Sequence, residues 1–297
     1  MKKLKFFIGA IALCLVLVSC SQEEQEDSNV GKQKTETVSE LTSRLKAYDK
    51  QFMTGDKSSE RIKILGYKFS LRECLKIGIA DVKGGISGFK QGGVPMAIVG
   101  AGVASALKFI ELLDKKKAKQ EKVNPQNALL KSNGLMNFND SIGFYHIAAE
   151  KHLYENLGNG IRSISSMDLL CRIHSMMNKS SDGYRVSNSF NSSSLSAVTN
   201  DVEKIRRIQD YADAPYADYY EKVRSLDVAD GEYLDFASEY LYTVLMGNVG
   251  DVKSYTNSVI SQISKSNASG DDKKILTQSI YIAFSSVMYS TSVEIQE

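Results

Sequence analysis

Residues 70–122 read SLRECLKIGIADVKGGISGFKQGGVPMAIVGAGVASALKFIELLDKKKAKQEK, and this stretch decides the fold. Ser70-Leu71-Arg72-Glu73 is a capping box: its hydroxyl and carboxylate satisfy amides that a helix start leaves unpaired. A helix is therefore predicted from Ser70 to about Lys90. Gln91-Gly92-Gly93 is a hinge, and Pro95 suits the first turn of a second helix. That helix ends in a lysine cluster, Lys115, Lys116, Lys117, Lys119 and Lys122, ahead of Asn124-Pro125. Two helices joined by a glycine hinge make a helical hairpin, and the expected fold is an all-α helical bundle built with it.

Placed on a wheel at about 100° per residue, the first helix has two faces. Leu71, Leu75, Gly78, Val82, Ile86 and Phe89 gather on one side, with Ala80, Gly84 and Gly88 nearly opposite. Each glycine weakens a helix by about 1 kcal/mol relative to alanine, so a row of them needs a reason. A flat strip lets helix backbones approach closely, as membrane helices do when lipid removes any hydrophobic drive. The second helix extends the pattern. Val94 to Leu113 spans 20 residues with Lys108 and Glu111 as its only charges, and these two are expected to pair on the surface. That is about the length needed to cross a hydrocarbon core. Gly84, Gly88, Gly92 and Gly100 are the candidate positions for membrane insertion or helix association. The alternative is a small-residue hairpin packed in a soluble core.

Outward from the hairpin, other segments also carry helical stripes. Leu41, Leu45, Tyr48 and Phe52 predict a short amphipathic helix, and Arg61 to Phe69 a small strand pair about Gly66. Beyond Pro125 come helices over Ile142–Leu157, Met167–Asn178 with Ser166 as cap, Leu195–Ile208, Tyr233–Leu245 stopped by Gly247, Val252–Ile263 and Ile275–Val293. The Ser/Asn-rich run NKSSDGYRVSNSFNSSS lies between Met177 and Leu195 and is the best internal boundary. The expected organisation is a signal segment (1–19), an acidic tether (20–40), a short helix and connector (41–69), the hairpin (70–122), a helical region (123–177), a loop (178–194) and a C-terminal helical region (195–297).

The chain starts MKKLKFFIGAIALCLVLVSC. Lys2, Lys3 and Lys5 precede an apolar run too short for a stable membrane span, so the segment reads as a removed export signal. It ends in Leu17-Val18-Ser19-Cys20, a lipobox, which makes Cys20 the expected site of lipid attachment and the first mature residue. Removing residues 1–19 leaves 34 basic against 35 acidic residues, and no global charge argues for nucleic acid. Of the four cysteines, Cys74 and Cys171 remain as a candidate disulfide in an oxidising exterior, or as two free thiols.

The residues after Cys20, Ser21-Gln22-Glu23-Glu24-Gln25-Glu26-Asp27, resemble the surface-export signal of Bacteroidota lipoproteins. The resemblance implies an outer-membrane, lipid-anchored protein facing the medium on a disordered acidic tether. The stretch DVKGGISGFKQGGVPMAIVGAGVASAL resembles the glycine-zipper region of bacteriocin-type peptides and membrane-inserting toxins. With the lipobox and acidic start, the whole is similar to the lipoprotein antimicrobial toxins of Bacteroidales, some of which are activated by a clostripain-type protease that cuts after Arg. The resemblance implies an Arg-specific protease as partner, with Arg185 in the Ser/Asn-rich loop as the candidate cut, and lipopolysaccharide or another envelope receptor on the target cell.

No enzyme motif supports catalysis: GxSxG, P-loop, HExxH and EF-hand loops are missing. His146 and Glu150 share a helix face but make a poor metal site alone, and Cys171 with His174 does not by spacing make a nucleophile–base pair. No catalytic residue, metal or cofactor is assigned. Tyr216, Tyr219 and Tyr220 beside Asp213 and Asp218 read either as a sugar- or receptor-binding surface or as helix packing. The leading functional expectation is a membrane-active toxin against related bacteria. A non-toxic surface lipoprotein for binding or colonisation is second, and an enzyme third.

Overall fold

A computed structural model describes residues 34–54, 61–64, 67–118, 146, 149, 153, 164–179, 192–208 and 214–292. Among these residues the fold is all-α, with eight helices and one two-stranded sheet, and Thr35–Glu297 forms one compact unit. Cys20, the signal segment and Arg185 lie outside the described residues.

Helix α1 is Val38–Asp49. The Thr37 hydroxyl accepts from the Glu40 amide at 3.1 Å and the Glu40 carboxylate accepts from the Thr37 amide at 2.8 Å. This capping box makes the last three residues of the expected tether helical, and Val38 is buried with Leu41 and Leu45. The hairpin strands β1 (Arg61–Ile64) and β2 (Tyr67–Ser70) pair antiparallel with Ile62 opposite Phe69, the pair expected about Gly66.

Helix α2, Leu71–Ala118, is the expected hairpin. The Ser70 hydroxyl accepts from the Glu73 amide at 3.2 Å, and the Ser70 amide donates to Glu73 at 2.7 Å. Ser70→Ala is expected to cost about 1 kcal/mol, read as a lower denaturant midpoint with unchanged slope. The helix breaks at Gly92 (φ −160°) and Gly93 (φ 68°, ψ −156°). The left-handed φ at Gly93 is one that side chains disfavour. Pro95 then sits in the first turn of the second arm, where a missing N–H costs nothing.

The remaining helices are α3 (Ser166–Lys179), α4 (Ser192–Arg206), α5 (Tyr216–Arg224), α6 (Gly231–Met246), α7 (Val252–Lys265) and α8 (Gly270–Ser292). The cap of α3 is Ser165 rather than Ser166: its hydroxyl accepts from the Asp168 amide at 3.1 Å. Asp251 caps α7 by accepting from the Lys253 and Ser254 amides, and Ser269 caps α8. Helices α3, α4, α5, α6 and α8 all pack on α2, while α1 packs on α6 and α7 on α8. The hairpin is thus the core of the molecule, and the amphipathic helices form its jacket.

Candidate functional site: the sheathed hairpin

The small residues of α2 do what a flat strip permits, within one chain. The two arms cross backbone to backbone. A Cβ built on Gly84 would overlap the Gly100 carbonyl, with its carbon at 2.8 Å, and one built on Gly100 would overlap the Gly84 carbonyl. At Gly88 the obstruction is the Met96 carbonyl and the Ala97 Cα at 2.8 Å. Gly84, Gly88 and Gly100 therefore build one intramolecular seam. Gly92 is not in it; it belongs to the hinge, with Met96 Cβ 3.0 Å from where its own Cβ would stand. Outer faces are small where jacket helices press: Gly78 under Leu241 of α6, Gly85 under Ile282 of α8 and Gly102 beside Ala149.

From Met96 to Leu112 every residue is buried. Leu71–Leu112, 42 residues, is the one stretch among the described residues that is apolar and long enough to cross a membrane, and 83% of its most apolar window is buried inside the protein. Lys108 and Glu111 do pair, at 2.8 Å, but in the interior rather than on the surface, with side-chain exposures of 3% and 10%. The reason lies in the neighbours. The Lys108 ammonium sits 4.2 Å from the centre of the buried Tyr219 ring, a cation–π contact that offsets part of its lost hydration. Lys76, on the first arm, donates to the Ala214 carbonyl at 2.6 Å.

The first arm is held to the jacket by polar contacts that no stripe foretells. The Lys83 and Lys90 ammonium groups both donate to Asp230, at the start of α6. Ser87 donates to Asp201 of α4 at 2.6 Å, and Ser194 to the Gln91 carbonyl at 2.8 Å. Hydrogen bonds from Ser87 and Lys204 hold the Asp201 carboxyl below its usual range, against the opposing effect of burial. His146, fully buried, lies 2.9 Å from Ser285 of α8 and 3.8 Å from the Asp81 carboxylate. Burial pushes its imidazole down to about 3, which keeps it neutral at ordinary pH.

A second buried carboxylate clasps α1 to the jacket. Asp49, 1% exposed, accepts from Thr243 of α6 at 2.9 Å and from Tyr255 of α7 at 2.8 Å. Tyr255 is stacked between Tyr48 and Tyr240, with Phe52 edge-on at 5.2 Å. Burial, with Glu239 nearby, raises the Asp49 carboxyl to about 6 despite those two hydrogen bonds. The native state thus binds the Asp49 proton more tightly than the unfolded chain does. This group adds stability as pH falls from 7 to 4, by about 1 kcal/mol at pH 5. Asp49→Asn is expected to remove that gain, measured as the difference in unfolding free energy from wild type at pH 7 and pH 5.

Other expected site residues are placed as follows. Cys74 is buried and Cys171 exposed, and no disulfide joins them. Tyr219 is core. Tyr216 bonds Ser238 at 2.8 Å and Tyr220 donates to Asp235, which also takes Arg224 in two contacts. The Tyr216 and Tyr220 hydroxyls thus tie α5 to α6. No group of three or more metal-ligating side chains occurs among the described residues. Compared with protein-family models, curated proteins and solved structures, the chain matches none.

Proposed function

We propose that this chain is a surface-anchored outer-membrane lipoprotein, attached through Cys20, that acts as a membrane-active antimicrobial toxin against related bacteria. The observation that carries the reading is the position of the α2 hairpin: a membrane-length arm, uncharged from Val94 to Leu107, lies sealed inside a jacket of separate amphipathic helices. In water that jacket hides the arm. At a bilayer the same amphipathic helices can turn their apolar faces to lipid, and the arm can follow. The seam at Gly84, Gly88 and Gly100 would keep the arms together in lipid, where close backbone packing replaces the hydrophobic drive. Cutting after Arg185 by an Arg-specific protease, and capture by lipopolysaccharide or another envelope receptor, complete the proposal as regulation and targeting.

A non-toxic surface lipoprotein for binding or colonisation is the competing reading. It is favoured by the first arm, whose Lys76, Lys83 and Lys90 all find partners inside the globule. The experiment that separates them adds purified full-length protein, intact and nicked after Arg, to closely related strains and follows membrane potential and survival. Depolarisation and killing are expected from the nicked form. Intact survival and potential in every strain, nicked or not, would favour the second reading.

A further inference from the structure

Lys83 and Lys90 are seven residues apart, two helical turns, so both face the same side of the first arm. Their ammonium groups meet the two oxygens of one carboxylate, Lys83 on Oδ2 and Lys90 on Oδ1 of Asp230. Lys83 and Asp230 are sealed, at 1% and 2% side-chain exposure, whereas Lys90 keeps 32%. Asp227 adds a second carboxylate 4.0 Å from Lys83. Asp230 closes a single 3-10 turn, 228–230, ahead of α6. The rest of that turn is open: Val228 is 84% exposed and the Asp227 side chain 41%. A buried ionic contact between arm and jacket therefore hangs from a three-residue turn at the surface.

We propose that Asp230 is the catch that holds the first arm of the hairpin in its jacket, and that lifting this turn, not unfolding the whole bundle, frees the arm. The physics is asymmetric. An intact buried ion pair adds little net stability, but a buried ammonium without its partner is strongly unfavourable. When the turn lifts, Asp230 and Asp227 leave together, and Lys83 regains full hydration only if the arm moves. The contact thus behaves as a two-state device. Its biological purpose rests on the membrane-active reading; its geometry does not.

The test uses full-length protein, with amide exchange as one readout and dye release from phosphatidylethanolamine/phosphatidylglycerol vesicles as the other. Asp230→Asn is expected to accelerate exchange over residues 71–91 on the order of a hundredfold while α1 and α7 keep wild-type protection. The double variant K83M/D230L replaces the buried pair by apolar groups of similar size and leaves Lys90 free to turn to water. It is expected to fold and to restore wild-type protection. Equal acceleration throughout the chain, no acceleration, or identical behaviour of the two variants would overturn the proposal. If Asp230→Asn fails to fold, K83M/D230L decides: wild-type protection supports the catch, and failure of this variant too overturns it. Faster dye release by Asp230→Asn supports catch and membrane activity together. Selective acceleration over 71–91 with vesicles that stay sealed, whether the protein is intact or nicked after Arg, upholds the catch and removes the membrane-active reading.

Discussion

Gly88→Ala is expected to cost about 4 kcal/mol or more, enough to take most of the stability of an ordinary domain. The added methyl meets the Met96 carbonyl and the Ala97 Cα, which are backbone atoms of the opposite arm. A side chain in the way can rotate, but a helix backbone can yield only if the two arms separate, and that opens a void along the seam. Gly84→Ala meets the Gly100 carbonyl and the Ala104 Cβ and should behave alike. Two controls bracket the effect. Gly85→Ala would strike the Cδ1 end of Ile282, a flexible tip, and should cost distinctly less. Gly270→Ala, with nothing within 4 Å, should stay within about 1 kcal/mol of wild type. Denaturant unfolding of the four variants checks the order. It also follows that replacing seam glycines cannot by itself test toxicity, because such variants lose the fold before they reach a membrane.

Acidification should unload the jacket through His146. Its pKa is lowered from 6.5 to about 3 by burial, so below pH 6.5 the unfolded chain binds a proton that the native state refuses. Stability from this group is complete above pH 6.5 and is lost as pH falls, by about 2 kcal/mol at pH 5 and between 4 and 5 kcal/mol, roughly, at pH 3. Asp49 works in the opposite direction over the upper part of that range, so the wild-type profile is the difference of the two. His146→Gln isolates the imidazole, since glutamine can still reach Ser285. The variant is expected to lose markedly less stability than wild type between pH 7 and pH 4. Parallel profiles would mean that the imidazole is carried as an ion with Asp81, 3.8 Å away, rather than as a buried neutral ring.

The sequence is legible where structure depends on neighbours in the chain. The Ser70 box, the Gly92-Gly93 break and the Gly247 stop are local hydrogen-bonding or dihedral demands, and each is found where its residues place it. Boundaries drifted by a residue or a few where the cap was one of two adjacent serines, Ser165 and Ser166, or where Thr37 began a helix inside the expected tether. The functional geometry was less legible because it joins distant segments. Lys83 and Lys90 share a face by spacing, but nothing local points to Asp230, 140 residues past Lys90. Asp49 looks like an ordinary helix-end carboxylate until Thr243 and Tyr255 close over it from two other helices. Lys108 and Glu111 are readable as a pair but not as a buried one, since the ring over Lys108 belongs to Tyr219, more than a hundred residues away in the chain. The glycine strip was readable as a contact surface, and the partner proved to be the chain's own second arm.

The central claim is that the buried arm exchanges its protein jacket for lipid. It is tested most directly by amide exchange on the full-length protein, nicked after Arg, with and without vesicles of target-strain lipid. The account predicts that residues 94–112 stay protected in both conditions, while α3 and α4, whose Ile173 and Val198 lie against Gly102 and Gly100 in water, lose protection when vesicles are present. Identical protection of arm and jacket in both conditions would contradict it and leave the hairpin as the permanent core of a soluble surface protein.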